Sequence, residues 1–356
     1  MKQQQDLTKK ELSVQDRSFI MVLEYKTLFR SIVKGEISMN SQETHSRQAY
    51  QVIRQVQKAV IGKEACIRKV MMAILSSGHI LLEDIPGVGK TTMALAFSKA
   101  LDLKENRLTF TPDVLPADLT GFTMYRKETG QFYYQPGAVM CNLFLGDEIN
   151  RTSPRTQSAL LEVMEEGQVS VDGVTHPLPR PFIVIATQNP AGSAGTQLLP
   201  QSQLDRFTVC LTMGYPDMQE EISILKGRIA RNTIEQVQPA ADAKRLLLMQ
   251  EEVRDVFIHD RIYHYIGRLA QATRNNPMIE LGISPRGSLA LARMAQASAY
   301  LRDKTYVTPD DVQEILMDVW GHRILLNAKA RISHLTSAGV LEEILKSVPA
   351  PSLRKS

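Results

Sequence analysis

The run Leu81-Leu82-Glu83-Asp84-Ile85-Pro86-Gly87-Val88-Gly89-Lys90-Thr91-Thr92 constrains this chain more than any other stretch. It reads as an apolar strand, a glycine-bearing loop, a lysine, two hydroxyls and then an amphipathic helix over 93–101. Gly87 and Gly89 let successive backbone N–H groups turn toward an anion without Cβ interference, and the helix N-terminus adds its partial positive charge. The expected ligand is therefore a phosphate chain. Lys90 can reach its β- and γ-phosphates, and the Thr91 hydroxyl can ligate Mg²⁺. The generic spacing G-x-x-x-x-G-K-[ST] asks for glycine where this chain has Asp84, so the loop needs support from elsewhere.

That support comes downstream. Asn142-Leu143-Phe144-Leu145-Gly146 is a short apolar strand that ends in Asp147-Glu148. Acids at the C-terminal tip of such a strand face the crevice where open α/β sheets bind ligands. Asp147 is expected to hold Mg²⁺ and Glu148 to polarise an attacking water, since a metal quenches the first charge and leaves the second basic. Alone, the pair would as readily be two acids favouring a helix start.

Size and composition bound the remaining choices. With 356 residues the chain can form one large or two ordinary domains with a substantial core. It is 43% hydrophobic and 22% charged, an ordinary globular balance. No apolar stretch reaches the roughly 20 residues of a membrane helix. Charges at Asp6, Lys9, Lys10, Glu11 and Asp16 break any signal-peptide layout. Cys66, Cys141 and Cys210 each sit singly in apolar surroundings, which points to reduced core thiols and a cytoplasmic setting. His259 and His264 form no ligand cluster, and no structural zinc is expected. The net charge of +4 is not gathered into a basic face, which makes nucleic acid an unpromising partner.

Three regions follow one another. Residues 1–47 are polar, with an apolar island over 19–33. Residues 48–214 alternate strands and helices, as in a parallel α/β sheet. From 215 to 356 helical periodicities take over, for example over 221–229 and 288–301. Strands are expected over 79–83, 107–110, 142–146, 182–187 and 207–211. Ser153-Pro154 is a cap and first-turn signal for a helix that presents Leu160, Leu161 and Met164. Two hairpins interrupt this rhythm: 124–126 with 131–134, and 169–171 with 174–175 around the Asp172-Gly173 turn. A plain doubly wound domain needs neither, so they are read as insertions that reach a partner, or as shields for sheet edges.

Three further residues complete a candidate site. The apolar strand Phe182–Thr187 delivers Asn189, placed to orient a lytic water, although an asparagine before Pro190 also suits an ordinary turn. Arg206, in Leu204-Asp205-Arg206-Phe207, can project into a neighbouring subunit's nucleotide as an arginine finger. The competing account is a surface ion pair with Asp205. Arg286 follows the Ser284 cap and Pro285, in a first helical turn that disfavours a cation, so an anionic partner such as a γ-phosphate is expected.

Together these segments resemble the MoxR family of AAA+ ATPases. The likeness rests on Glu83–Thr91, Gly146-Asp147-Glu148-Ile149-Asn150-Arg151, Thr156–Glu162, Ala186-Thr187-Gln188-Asn189-Pro190, Leu204-Asp205-Arg206-Phe207 and Ser284-Pro285-Arg286, and covers roughly residues 48–350. It implies a P-loop AAA+ core with a parallel sheet and helices on both faces, plus an all-helical lid. It assigns Lys90 and Thr91 to Walker A, Asp147 and Glu148 to Walker B, Asn189 to sensor 1, Arg206 to the finger and Arg286 to sensor 2. Val60-Ile61-Gly62 matches the adenine-packing segment; Pro86, Gly87, Val88, Gly89 and Thr92 complete the nucleotide contacts. The hairpins resemble the helix-2 insert and the pre-sensor-1 hairpin. The implied cofactors are ATP and Mg²⁺. The implied assembly is a ring, a hexamer, that remodels or activates a protein client, among them von Willebrand factor A domain proteins. Whether Arg286 acts on its own subunit's nucleotide or a neighbour's stays open at this stage.

Rival readings are a DNA-directed ring ATPase, a metal-chelatase-like motor subunit, a sigma-54-type activator and a nucleotide-gated scaffold. The third would carry a longer loop than Thr120-Gly121-Phe122-Thr123, and the last conflicts with Glu148 and Arg206. Met39-Asn40-Ser41 resembles a natural start, with Lys34-Gly35-Glu36 codons able to spell a ribosome-binding site. One expectation is that residues 1–38 are not translated natively; the other is a real extension, helical over 19–33, that docks on the core or on a partner.

Overall fold

The computed structural model describes residues 45–85, 87–189, 199–230 and 233–352, which belong to one compact unit, His45–Ser356. The expectations for residues 1–44 lie outside the described residues.

Helix α1 (His45–Gln57) buries Ala49, Val52, Ile53 and Val56, an i, i+3, i+4, i+7 stripe, against α2 (Glu64–Leu75). Strand β1 (Ile80–Glu83) enters the phosphate-loop region, and α3 (Lys90–Ala100) leaves it from the left-handed Gly89. Then come β2 (Glu105–Thr109), α4 (Pro116–Thr120), the hairpin β3 (Gly121–Arg126) and β4 (Gln131–Pro136), and β5 (Leu143–Asp147). A 3₁₀ turn (Ile149–Arg151) precedes α5 (Pro154–Glu166), whose cap is the Ser153 hydroxyl accepting the Thr156 N–H at 3.3 Å. The second hairpin, β6 (Gln168–Val171) and β7 (Val174–Pro177), turns through left-handed Asp172 and Gly173. Strand β8 (Ile183–Gln188), the short α6 (Gln201–Leu204) and β9 (Val209–Leu211) finish the core.

The sheet order is β2-β5-β8-β1-β9, with every pairing parallel. All five expected strands are present, displaced by one or two residues. Alternate side chains face opposite layers, as the period of two requires. Ile80, Leu82, Leu143, Leu145, Ile183 and Ile185 join the layer that holds α1, α2 and α3. Leu81, Phe144, Val184 and Ala186 pack with Leu160 and Leu161 of α5. Both faces are covered, which is why these strands are almost wholly apolar. Both insertion hairpins form, and Tyr134 of the first stacks on His176 of the second with centroids 3.8 Å apart.

The C-terminal region, in which the lid is expected, comprises α7 (Met218–Ala230), α8 (Ala243–Asp255), α9 (Asp260–Arg274), β10 (Ile279–Leu281), α10 (Pro285–Leu301), α11 (Pro309–Trp320), β11 (Leu325–Leu326), α12 (Ala328–Ile332) and α13 (Ser337–Ser347). It is helical as expected; the short antiparallel ribbon of β10 and β11 escaped the periodicity because each strand spans at most three residues. Leu246, Leu269, Leu291 and Trp320 belong to the same continuous core layer as β1, so lid and sheet share one interior. The three cysteines are free, and burial pushes each thiol up to about 12, which disfavours the reactive thiolate. Among the described residues no helix is long and apolar enough to cross a membrane.

Candidate functional site

The phosphate loop has the backbone its glycines imply. Gly87 and Gly89 have φ of 89° and 99°, and a Cβ on Gly87 would meet nothing within 4 Å. Conformation, not space, demands glycine there. Half-buried Val88 packs on the core edge, and half-buried Thr92 lies in the first turn of α3. Lys90 is 8% exposed and its ammonium donates to the Asp84 carbonyl at 2.6 Å and the Gln188 carbonyl at 3.5 Å. Burial pushes its pKa down, while Asp84, Asp147, Glu148 and Glu83 pull it back up. Pro86 lies outside the described residues. Val60 is buried and Gly62 has φ of 72°, a left-handed conformation that favours glycine; a Cβ there would push the Glu220 carboxylate aside. Ile61 between them is half-buried.

The two acids differ in their surroundings. Asp147, buried at the tip of β5, accepts the Thr187 hydroxyl on Oδ1 at 3.0 Å. Its Oδ2 accepts the Arg107 guanidinium at 2.6 Å and the Thr91 hydroxyl at 3.2 Å. Glu148 stands in the left-handed region with φ of 59°, its N–H bonded to Thr187 Oγ1 at 2.9 Å. Its carboxylate accepts Arg151 Nη1 at 2.6 Å and Asn189 Nδ2 at 3.1 Å. The Arg151 bond first, and the Asn189 bond after it, hold the Glu148 carboxyl below its usual range against the opposing effect of burial. Asn189 is itself fixed by a reciprocal pair with Asn150: Asn150 Nδ2 donates to the Asn189 carbonyl at 3.0 Å, and the Asn189 N–H donates to Asn150 Oδ1 at 3.3 Å.

These residues fit a magnesium nucleotide. Thr91 and Asp147 bring two hard oxygen donors together, and few protein ligands suffice because Mg²⁺ keeps waters and phosphate oxygens. The Arg107 guanidinium on Asp147 Oδ2 marks that oxygen as a place where positive charge is stabilised. Asn189 Oδ1 is buried without a hydrogen-bond partner among the described residues, an acceptor left over beside Glu148.

The two arginines lie elsewhere. Arg206 Nη1 donates to the Leu161 carbonyl at 2.8 Å and pairs with Glu165 Oε2 at 2.5 Å. Arg286 Nη2 pairs with the other oxygen, Oε1, of the same carboxylate. Within the chain the carboxylate beside both Arg286 and Arg206 is Glu165, and Asp205 is not the partner of Arg206. Glu165 lies in the last turn of α5, and the adjacent Met164 carbonyl bonds His79 Nε2 at 3.1 Å, immediately before β1. The phosphate loop follows β1. About 16 Å of strand therefore separates the arginine cluster from Asp84, at ~3.3 Å per residue. Asp205 serves instead as a rivet: its Oδ2 accepts the Ser284 hydroxyl at 3.0 Å and its Oδ1 accepts Arg323 Nε at 2.8 Å, joining the Arg206 loop to the start of α10.

Sequence reasoning missed Arg107, Arg151, Glu165, Thr187 and Arg323. Only Arg151, three residues after Glu148, carried a local signal as an i, i+3 pair.

Residues 79–209 match the family described as ATPase family associated with various cellular activities (AAA), and residues 271–344 match the AAA lid domain. The chain is 35% identical over 311 residues to the chaperone MoxR1 of Mycobacterium tuberculosis, covering 85% of this chain and 82% of that protein. It belongs to the MoxR family of AAA+ ATPases. The chain is also similar to other proteins along most of its length. The YeaC protein of Bacillus subtilis is 43% identical over 304 residues, 85% of this chain and 95% of that one. The MoxR protein of Methylorubrum extorquens is 28% identical, over 84% of this chain and 94% of its own. A crystal structure of a Cytophaga hutchinsonii protein superposes with a TM-score of 0.81 at 35% identity, over 86% of this chain and 96% of that one. The parallel sheet flanked by helices and the helical C-terminal lid of this MoxR-family chain match those two domains, and the AAA+ fold implies nucleotide hydrolysis.

Proposed function

We propose that this chain assembles into a ring, a hexamer, in the cytoplasm, and hydrolyses Mg·ATP at its subunit interfaces to remodel or activate a protein client in the manner of a chaperone. The observation that carries the reading is the convergence of Arg206 and Arg286 on one Glu165 carboxylate, next to the Met164 carbonyl that bonds His79 before β1 begins, while the phosphate loop follows the other end of β1. Two guanidinium groups on one carboxylate suit one anion, and about 16 Å of strand, at ~3.3 Å per residue, lies between His79 and the start of their own phosphate loop. Both are therefore assigned to the nucleotide of the adjacent copy, with Glu165 holding them together.

In this reading the backbone N–H groups of Gly87, Val88 and Gly89 and the Lys90 ammonium hold the phosphates, while Val60, Ile61 and Gly62 take the base. Thr91 and Asp147 hold Mg²⁺, which neutralises charge on the transferred group. Glu148 accepts the proton of the attacking water, and Asn189, bonded to Glu148, orients that water through its free Oδ1. Arg206 and Arg286 stabilise the charge that develops on the departing phosphoryl oxygens.

A protein client, with von Willebrand factor A domain proteins as the first candidates, is favoured over DNA by the first hairpin. Its Phe132 and Tyr125 are 74% and 54% exposed with ring centroids 5.2 Å apart, and Arg126 lies 4.4 Å over the Tyr133 ring. A phosphate backbone asks for clustered cations, whereas exposed apolar side chains on the two hairpin strands suit polypeptide. Sedimentation and phosphate release with Mg·ATP, each with and without DNA, test the proposal together. ATP-dependent assembly with turnover indifferent to DNA is expected; a monomer that releases no phosphate, or turnover that depends on DNA, contradicts it.

A further inference from the structure

Asp84 replaces the first glycine of the generic phosphate loop, and its side chain has an occupation that a glycine could not fill. It is 8% exposed. Oδ1 accepts the Ile85 N–H at 2.9 Å, while Oδ2 accepts the N–H groups of Met213 at 2.7 Å and Gly214 at 2.6 Å. Met213 and Gly214 lie in the connection between β9 and α7, where the chain passes from sheet to lid. Three N–H donors on one carboxylate are short, charge-assisted bonds, stronger than neutral ones.

The backbone of the same residue is tied to the cradle. The Asp84 carbonyl accepts the Lys90 ammonium at 2.6 Å, and the Asp84 N–H donates to the Gln188 carbonyl at 3.2 Å. The lysine expected on the phosphates and the segment that aims the lid therefore meet on one residue. A second tie fixes the far side of the same connection: Lys63, next to the Val60–Gly62 segment, donates to the Tyr215 carbonyl at 3.0 Å and pairs with Glu220 of α7 at 3.3 Å. The connection is thus pinned at the phosphate end by Asp84 and at the base end by Lys63.

We propose that Asp84 is a positioning residue that staples the phosphate loop to the lid connection, so that a change in what Lys90 holds is passed through Asp84 to the lid and to Arg286 upon it. The proposal rests on the nucleotide reading above and deepens it. Any anion that draws the Lys90 ammonium away frees the Asp84 carbonyl, while the carboxylate keeps the loop and the connection moving as one piece.

The test uses the full chain and its D84G, D84A and D84N variants, with peptide-resolved hydrogen exchange over 211–216 and steady-state hydrolysis. Loss of the charge-assisted bonds in D84G and D84A should speed exchange of the Met213 and Gly214 amides about tenfold. In D84N the amide oxygen can still accept both N–H groups, so exchange should return toward that of the unaltered chain. Addition of Mg·ATP should alter this exchange in the unaltered chain and not in D84G or D84A. The same two variants should lose about tenfold in kcat, with a smaller change in KM and recovery in D84N. If D84G does not fold, the contrast between D84A and D84N carries the comparison. Unchanged exchange in the glycine and alanine variants overturns the staple; faster exchange with unchanged kcat and an intact response to Mg·ATP overturns the coupling. An unaltered chain that shows Asp84-dependent protection yet never hydrolyses ATP would contradict the ATPase reading and leave the staple standing.

Discussion

Arg323 offers the most demanding test of how the two arginines are held. It is 4% exposed, and all five of its N–H donors are used. Nε bonds Asp205 Oδ1 at 2.8 Å; Nη1 bonds the carbonyls of Thr208 at 3.0 Å and of Val319; Nη2 bonds the carbonyls of Asp205 at 3.1 Å and of Phe207. Four of the five bonds thus run to the Asp205–Thr208 segment that carries Arg206. Burial pushes its pKa down, but Asp205 beside it favours the charged form. R323A removes one partner of a buried pair and leaves the Asp205 carboxylate with only Ser284 among these ties, a change that costs about 3–5 kcal/mol. R323K supplies three donors for five acceptors and should lose roughly half as much. Urea unfolding at neutral pH, followed by circular dichroism, measures both. The Arg206 loop should also lose its register, so hydrolysis by R323A should fall while nucleotide still binds at the distant Lys90. A loss below about 1 kcal/mol with full hydrolysis would show that Arg323 does not hold this loop.

Two pH effects follow from the same geometry. Because Arg151 holds the Glu148 carboxyl below its usual range, R151A should move the acid limb of the kcat profile to higher pH; an unmoved limb contradicts Glu148 as the base or Arg151 as its partner. Burial lowers His79 from 6.5 to about 4, so the folded chain resists a proton that the unfolded chain accepts; stability should fall by up to about 3 kcal/mol as pH drops from 6.5 to 4, and H79N should flatten that slope.

The sequence made the core legible wherever physics is local. Gly87, Gly89 and Lys90 announce their loop because a phosphate cradle needs those backbone freedoms in that order. The strand tips at Asp147 and Asn189 could be found because apolar runs end where the crevice begins. Ser284-Pro285 fixed the start of α10 to the residue, with the Ser284 hydroxyl accepting the Gly287 N–H at 3.0 Å. What escaped was settled across long separations. Arg107 meets Asp147 only because β2 pairs with β5, and Arg323 meets Asp205 across 118 positions. Glu165 is one of many acids on helix ends until the lid delivers Arg286 to it. Asp84 looked like a defect of the motif because its partners, Met213 and Gly214, lie about 130 positions away in sequence and come beside it only when β9 pairs with β1.

The sharing of one nucleotide between two copies is tested most directly by mixing subunits. K90A lacks the cradle's cation and R206A lacks the finger, so each alone should hydrolyse almost nothing. Co-assembled rings contain interfaces with an intact Lys90 on one copy and an intact Arg206 on the next, and should recover a substantial fraction of the unaltered rate. Co-assembly without any recovery would mean that Arg206 does not serve the neighbouring site, and the account of the arginine pair would be wrong.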